Sequence, residues 1–297
     1  MTTTATFESW PELRVSDWEQ TRDTVHMWSQ IVGKTRMALA PNENHWWQVA
    51  LYVNSVGLTT SLMPYDGYGV EVVFDFADHV LDITTTKGER RQVRLEPRTT
   101  ADFYADYLAQ LESLGISVPI YDRPVEVAES IPFPQDTKHA SYDADAVKLF
   151  WHQLVSAQRV FAEFRGKWRG KCSPVHFFWG SFDLAVTRFS GRPAPLFSGV
   201  VPNCPERVMV ESYCEEVSSA GFWPGGADEG AFYSYSYPDY EGYPDAKVHP
   251  AAASYDTTLG EFLLPYTAVR TADDSDASLR EFLQSTFDVE SSLGEWP

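Results

Sequence analysis

Two histidines each begin a stretch in which every second residue is apolar. His176 lies at the start of VHFFWGSFDLAVTRFSG (175–191), and His45 lies at the start of NHWWQVALYV (44–53). Such alternation is typical of a strand with one buried face, so we expect both imidazoles to be buried. A buried ring without a partner costs about 1–3 kcal/mol, so we expect each ring to be hydrogen-bonded. A carbonyl partner would indicate a structural role, and a carboxylate facing a cavity would indicate a general base.

Carboxylate and guanidinium groups elsewhere in the chain supply the partners that a catalytic site needs. Asp183 or Glu215 would orient His176 or His45 as an acid–base residue, and these four residues are the candidate catalytic set. Arg188 ends the apolar face that begins at His176, and its planar group can bind an anion through two hydrogen bonds. It is therefore the candidate anchor for an anionic ligand.

Aromatic side chains are concentrated in the predicted strands. Large sheets need such residues as core, but rows that also carry hydroxyl or indole N–H groups suit a cavity for an organic ligand. The candidate ligand-binding residues, besides Arg188, are Trp47, Trp179, Trp223 and Tyr235. A mixed row follows the other face of the strand at His176: Phe177, Trp179, Ser181, Asp183 and Thr187.

These residues leave two functions open. The first is a small-molecule enzyme or binding protein with an aromatic-lined cleft near the junction of the two halves of the chain, taking an aromatic or anionic ligand. The second is a non-catalytic scaffold whose aromatic rows are core packing. A cavity of several hundred Å³ lined by these residues would favour the first, and a filled interior would favour the second. Whether the protein is an enzyme stays open.

The chain lacks common motifs for metal binding, serine hydrolysis and phosphate binding. It contains no H-x-H, H-E-x-x-H or C-x-x-C sequence, and DFADH is typical of a tight turn, so no metal site is predicted. WGSFD does not match a nucleophile elbow. GFWPGG lacks the lysine and the following helix of a phosphate-binding loop. The sequence identifies no cofactor.

Composition and charge exclude several partners. The chain of 297 residues has a formal net charge of −19, which repels nucleic acids and anionic membrane surfaces. No apolar run approaches the roughly 18 residues of a membrane span, and the N-terminal residues do not resemble a signal peptide. The three cysteines form no C-x-x-C pair and are expected to be free thiols. We expect a cytoplasmic protein, and its oligomeric state stays open.

The elements that would hold the candidate residues recur in the same order along the chain. GKTR precedes His45, GKWR precedes His176, and a tryptophan lies fifteen residues before each glycine. Apolar residues at 3–4 spacing predict a long helix before each histidine. Each half then closes with a further helix, at 99–115 and at 275–294. These landmarks predict an internal duplication.

Strands that follow one another and are flanked by helices predict an α+β fold. We expect two similar halves, each with a long helix, an antiparallel sheet of four to five strands and a closing helix. The predicted domains are 1–122 and 142–297, and the Pro-interrupted segment 123–141 links them. An irregular loop at about 190–207 is inserted in the second half.

Five stretches together are also familiar: NHWW, GLTTS, HASYD, GKCSPVHFFWGSFDLAVTRFSGR and EVSSAGFWPGG. With them, the chain resembles a bacterial protein family catalogued as a domain of unknown function, over nearly its full length. This resemblance implies a soluble bacterial protein. It implies no activity and no catalytic residues.

Overall fold

The structure, a computed structural model, describes residues 7–226 and 228–297. Helices and antiparallel strands are grouped along this part of the chain, which confirms the α+β class. The α-helices are α1 (Val15–Leu39), α2 (Thr100–Ser113), α3 (Ala144–Gly166), α4 (Glu206–Ser212), α5 (Tyr266–Arg270) and α6 (Ser275–Leu293). Short 3-10 helices span Asn44–Val49 and Phe133–Gln135. None of the described helices is long and apolar enough to cross a membrane.

The strands form two antiparallel sheets of six strands each, rather than the four to five expected. In the first sheet they are β1 (Tyr52–Val53), β2 (Gly57–Thr59), β3 (Met63–Tyr65), β4 (Tyr68–Asp75), β5 (Val80–Thr85) and β6 (Arg90–Arg94). In the second they are β7 (His176–Phe178), β8 (Asp183–Pro193), β9 (Glu215–Trp223), β10 (Ala231–Tyr237), β11 (Ser254–Asp256) and β12 (Glu261–Pro265). The first has the order β1-β2-β4-β5-β6, with β3 paired to β4, and the second β7-β8-β9-β10-β12-β11.

Side-chain caps determine where three of the long helices begin. The residues before α2, α3 and α6 are Thr99, Asp143 and Asp274. Each side chain accepts a hydrogen bond from the backbone N–H three residues later, which satisfies a donor that the helix leaves free. These helices agree with those predicted from the apolar spacing.

The two sheets meet edge to edge. Leu51, just before β1, forms an antiparallel bridge with Phe177 of β7. Each backbone N–H donates to the other residue's carbonyl, at N···O distances of 2.9 and 2.7 Å. Residues from both predicted domains also share one apolar core, in which Trp18 of α1 packs against Phe150 of α3 at 5.0 Å between ring centroids.

The second sheet has one face against helices and another against a cavity. On β8, Arg188 points toward α3 and α6, whereas its neighbours Thr187 and Phe189 line the cavity. On β10, Ser234 contacts Glu290 of α6, and the flanking tyrosines line the cavity. This follows from the two-residue period of strands. The sheet therefore presents every second residue of several strands to one cavity.

The internal duplication is not confirmed. His176 lies in a strand, but His45 lies in a 3-10 helix and has a left-handed backbone with φ of 58°. Gly33 lies inside α1, which continues to Leu39, whereas the matching Gly166 is the last residue of α3. The matched motifs thus occupy different local structures.

Candidate functional site

A cavity of about 470 Å³ lies on the face of the second sheet opposite α3 and α6. Residues of β8, β9, β10 and β12 form its floor. Its cover comes from three places: the 3-10 helix Asn44–Val49, Glu126, and the segment 194–214 that contains α4. We call residues 194–214 the covering segment. The cavity therefore combines residues from the first predicted domain, the linker and the second domain.

The covering segment is attached at both ends and in the middle. At its ends the backbone N–H of Ala194 donates to the carbonyl of Cys214 at 3.0 Å. In the middle the backbone N–H of Glu126 donates to Pro202 at 2.8 Å, and the Asn203 amide donates to Val127 at 2.8 Å. α4 has no buried residue, but the ring of Tyr213 packs against Tyr235 and Tyr237 of β10.

Asp183 is the most deeply buried acid in the cavity floor. Its side chain is 5% exposed and accepts hydrogen bonds from the hydroxyl groups of Ser181 and Tyr233, one on each carboxylate oxygen. Burial raises the pKa of Asp183, and the two hydroxyl donors oppose that rise. Burial, the charge of Asp183 and the nearby Tyr235 raise the pKa of Tyr233 far above its usual range, so this phenol stays a donor.

Two further carboxyl groups lie in the same cavity. Burial, and then the charge of Asp183, raise the pKa of Glu126 to about 7. Solvent still reaches Glu126, although protein surrounds its carboxyl group. Burial also raises the pKa of Glu261 to about 7, with Asp183 and then Asp256 adding like charge. The cavity therefore holds three acids that repel one another when ionised.

Aromatic rings form much of the remaining wall. The phenol oxygens of Tyr213 and Tyr235 are hydrogen-bonded at 2.8 Å, and the rings of Tyr233 and Tyr235 stack with centroids 6.1 Å apart. The aromatic lining residues are Trp46, Trp47, Phe178, Phe189, Tyr213, Trp223, Tyr233 and Tyr235. Trp223 is 40% exposed.

His45 lies at the cavity wall in a network that defines its protonation. Its Nδ1 is 3.0 Å from the carbonyl oxygen of Ser212, and its Nε2 is 2.7 Å from the ammonium of Lys171. Lys171 also donates to Glu215 at 2.5 Å. A carbonyl only accepts and an ammonium only donates, so Nδ1 carries the proton and the ring is neutral. Burial lowers the pKa of His45, and Lys171 adds to this.

One group of three potential metal ligands adjoins this network. One donor atom each of His45, Cys214 and Glu215 lies within 4.8 Å of the others. The Lys171 ammonium is bonded to two of these groups, and a metal ion there would have to displace it. Zinc accepts donors of these three kinds. Here, however, the Lys171 ammonium already supplies the positive charge that His45 and Glu215 would otherwise draw from a metal ion.

His176 is fully buried but does not line the cavity. Neither of its ring nitrogens has a hydrogen-bond partner among the described residues, so the expectation of a partner was wrong for this histidine and right for His45. The ring packs edge-on to Phe178 at 4.4 Å. Burial lowers its pKa to about 3, and the charges of Arg36 and Arg165 contribute. It is a neutral core residue in this structure.

Arg188 and Trp179 also lie outside the cavity. The Arg188 guanidinium is 3.4 Å from the ring centroid of Phe164 and 4.3 Å from that of Phe287, on the helix side of β8. The Trp179 indole N–H donates to the carbonyl of Val49 at 2.6 Å. Both side chains connect elements of the core.

Five of the nine candidate residues line the cavity: His45, Trp47, Asp183, Trp223 and Tyr235. Glu215 is one contact away through Lys171. Glu126, Lys171 and Glu261 also belong to the site and were not predicted from the sequence. The alternation in GEFLLP places Glu261 on the face of the strand opposite to that of the buried Phe262, so the sequence could have predicted that Glu261 faces the cavity. Glu126 and Lys171 lie in segments without a periodic pattern, and nothing in the sequence predicts their positions.

The chain was also compared with known proteins. Comparison with curated proteins finds no similar chain, and comparison with solved structures finds none either. A family model described as a family of unknown function (DUF5996) matches residues 10–297. The match includes the cavity, its cover and both sheets, and the chain belongs to this family.

Proposed function

We propose that the protein binds a small organic molecule in the cavity on the second sheet. The observation that carries this proposal is the cavity itself, whose volume of about 470 Å³ is within the range of ligand pockets. Apolar and aromatic walls with a few converging polar groups are typical of such pockets. The scaffold alternative expects aromatic rows packed against one another, but here several of them border an open space.

The cavity also has groups that a ligand can satisfy. Trp46 is one of the lining residues, and its indole N–H is buried without an acceptor among the described residues. A buried donor without a partner is costly, and a small movement of Trp46 that exposed this N–H to the cavity would let an acceptor atom on a ligand remove the cost. α4 has no buried residue, so opening the covering segment to admit a ligand disrupts its hydrogen bonds and the packing of Tyr213 against β10 rather than a buried helix face.

Acid–base chemistry on a bound molecule is available to the same groups. The carboxyl groups of Glu126 and Glu261 have pKa values of about 7, so each can donate or accept a proton near neutral pH. His45 is less suited to this role, because Lys171 occupies its free nitrogen. Binding is therefore the proposed function, and the carboxyl groups are the residues through which any turnover would proceed.

Filling the cavity tests the proposal. Ala231 lines the floor, and Ala231→Phe should occupy the space that a ligand needs. Aromatic fragments of positive, neutral and negative charge would be screened by saturation-transfer NMR. We expect several of them to bind the wild type. Binding should weaken at least about tenfold in Ala231→Phe, because the lost contacts are worth more than about 1.4 kcal/mol.

The control carries the same change elsewhere. Ala105 is exposed on α2, far from the lining residues in the chain, and Ala105→Phe should bind the fragments as the wild type does. Fragments that bind all three proteins equally, or a wild type that binds none, would contradict the proposal.

A further inference from the structure

The charges that line the cavity are of one sign. The described lining residues include the carboxyl groups of Asp183, Glu126 and Glu261, and none of them is Lys or Arg. Their one histidine, His45, is held neutral by its hydrogen bonds. The Lys171 ammonium, which donates to His45, is already paired with Glu215. The protein therefore gathers three acids and supplies no cation to neutralise them.

The contacts of these three acids do not neutralise their negative charge. Asp183 receives two hydroxyl hydrogen bonds, which stabilise a carboxylate but do not neutralise it. Within residues 7–226 and 228–297, neither Glu126 nor Glu261 forms an ion pair. Carboxylates that are withdrawn from water are normally paired, protonated or bound to a cation. Asp183 is buried and Glu261 is half-buried, whereas Glu126 as a residue is exposed, with its carboxyl group surrounded by protein. This arrangement is unfavourable for the empty protein and becomes favourable when a positive group enters.

The walls suit the same kind of group. Trp47, Trp223 and the stacked rings of Tyr233 and Tyr235 border the cavity. The faces of such rings attract a cation within about 6 Å, most strongly where water is excluded. Arg188, the anion anchor expected from the sequence, lies on the other side of the sheet. An anionic ligand would meet three acids and no compensating base.

We infer that the ligand is an organic cation, whose protonated amine meets Asp183, Glu126 and Glu261 while its apolar body contacts the aromatic walls. This inference rests on the proposed binding function and adds the charge class of the ligand. The net charge of −19 on the chain also attracts cations toward the protein before they bind.

Proton release should accompany binding. Near pH 7 Glu126 and Glu261 are partly protonated, and a cation favours their ionised forms. Binding of the cation should therefore release protons and strengthen as the pH rises from 6 to 8. The other titratable groups that face these acids are His45, Cys204, Tyr213, Tyr233, Tyr235, Tyr255 and Asp256. The phenols and the thiol among them have raised pKa values and stay neutral over this range.

Three probes of similar shape separate charge from size. They are 2-phenylethylammonium, 2-phenylethanol and 3-phenylpropanoate, titrated into the wild type by isothermal titration calorimetry. We expect the ammonium to bind at least about tenfold more tightly than the alcohol, because charge-assisted hydrogen bonds are roughly twice as strong as neutral ones. The carboxylate should bind more weakly than the alcohol, because the three acids repel it. The ammonium should show heats that depend on the buffer through proton release, and the alcohol should not. A carboxylate that binds should take up protons instead.

Charge-removing variants assign the preference to the acids. Glu126→Gln and Glu261→Gln should each weaken binding of the ammonium about threefold to tenfold. The affinity for the alcohol should change by less than about twofold. They are chosen over Asp183 variants because Asp183 also binds Ser181, in the turn between β7 and β8, and Tyr233 of β10. Glu112→Gln, on the exposed side of α2, should change neither probe.

The possible failures are distinguishable. If the alcohol or the carboxylate binds as tightly as the ammonium, and Ala231→Phe blocks them all, the charge class is wrong while the proposed binding function stands. If the ammonium binds most tightly but neither Gln variant weakens its binding, the assignment of the preference to these acids is wrong. If no probe binds and the fragment screen is also empty, both proposals fail.

Discussion

At the scale of single residues, the partners of His45 explain what this histidine does in the fold. It joins the carbonyl of Ser212, at the end of α4, to Lys171 and Glu215. The hydrogen bond to Ser212 attaches the covering segment to the first half of the chain. The ring therefore stabilises the closed cover, and a carbonyl partner of this kind is the one that indicates a structural role.

Matched variants of His45 test this role. An Asn amide nitrogen reproduces the position of Nδ1 and Asn tolerates a left-handed backbone, whereas Gln reproduces the position of Nε2. We expect His45→Gln to speed hydrogen exchange in residues 206–214 by roughly 2- to 10-fold, because one hydrogen bond is worth about 0.5–1.5 kcal/mol. His45→Asn should stay closer to the wild type. Mass spectrometry of the exchanged peptides measures this, and equal exchange in both variants would refute the assignment.

The two-residue period of strands was enough to predict which residues share a face of β8. Alternation places Asp183 and Thr187 on one face of β8 and Arg188 on the other, as the structure shows. Alternation cannot say which face meets helices and which meets a cavity, because that depends on contacts distant in the chain. Glu126 could not be found, because its place in the cavity depends on backbone contacts with the covering segment.

At the scale of elements, long periodic segments were predicted well and short ones were not. Capped helices such as α3 and α6 follow from apolar spacing over many residues. The stretch after His45 also alternates, but only its end forms strand, and His45 and Trp46 are both left-handed. Local alternation is weak evidence over a few residues, and long-range contacts with α4 and Lys171 determine the backbone there.

Gly33 shows how one element depends on another. It lies inside α1, where Ala would normally stabilise the helix by about 1 kcal/mol. A Cβ atom at Gly33 would, however, overlap the indole of Trp179, which is fixed by its hydrogen bond to Val49. We expect Gly33→Ala to lower the free energy of unfolding by about 1–3 kcal/mol, measured by urea denaturation.

The double variant decides whether this contact is the cause. In a Trp179→Leu background the overlap is removed, so Gly33→Ala should become neutral or stabilising. If Gly33→Ala costs the same free energy in both backgrounds, the packing of α1 against Trp179 does not explain the glycine.

At the scale of the whole molecule, buried ionisable groups should limit stability on both sides of neutral pH. Burial lowers the pKa of His176 to about 3 and that of His26 to about 4. At these two sites the unfolded chain binds more protons than the native one below about pH 6.5, so their contribution to stability falls as the pH drops from there. Glu126, Glu261 and Glu290 act in the opposite direction, since their pKa values are raised to about 7.

Glu290 gives the sharpest test of the alkaline side. It is fully buried in α6, and its carboxyl accepts hydrogen bonds from Tyr243 at 2.5 Å and Ser234 at 3.2 Å. A pKa raised from 4.5 to about 7 means that its contribution is present below pH 4.5 and is lost as the pH rises through 7. That shift corresponds to about 3 kcal/mol.

Glu290→Gln should keep both hydrogen bonds without the charge, because an amide oxygen accepts as a protonated carboxyl does. We expect the variant to exceed the wild type in free energy of unfolding by up to about 3 kcal/mol at pH 8, and to match it near pH 5. Urea denaturation at the two pH values measures the difference. Glu281→Gln, exposed on the same helix, should change stability equally little at both. A Glu290→Gln variant that is less stable than the wild type at pH 8 would show that the native carboxylate is stabilised, with the Arg188 guanidinium as its partner, and that the alkaline loss has another origin.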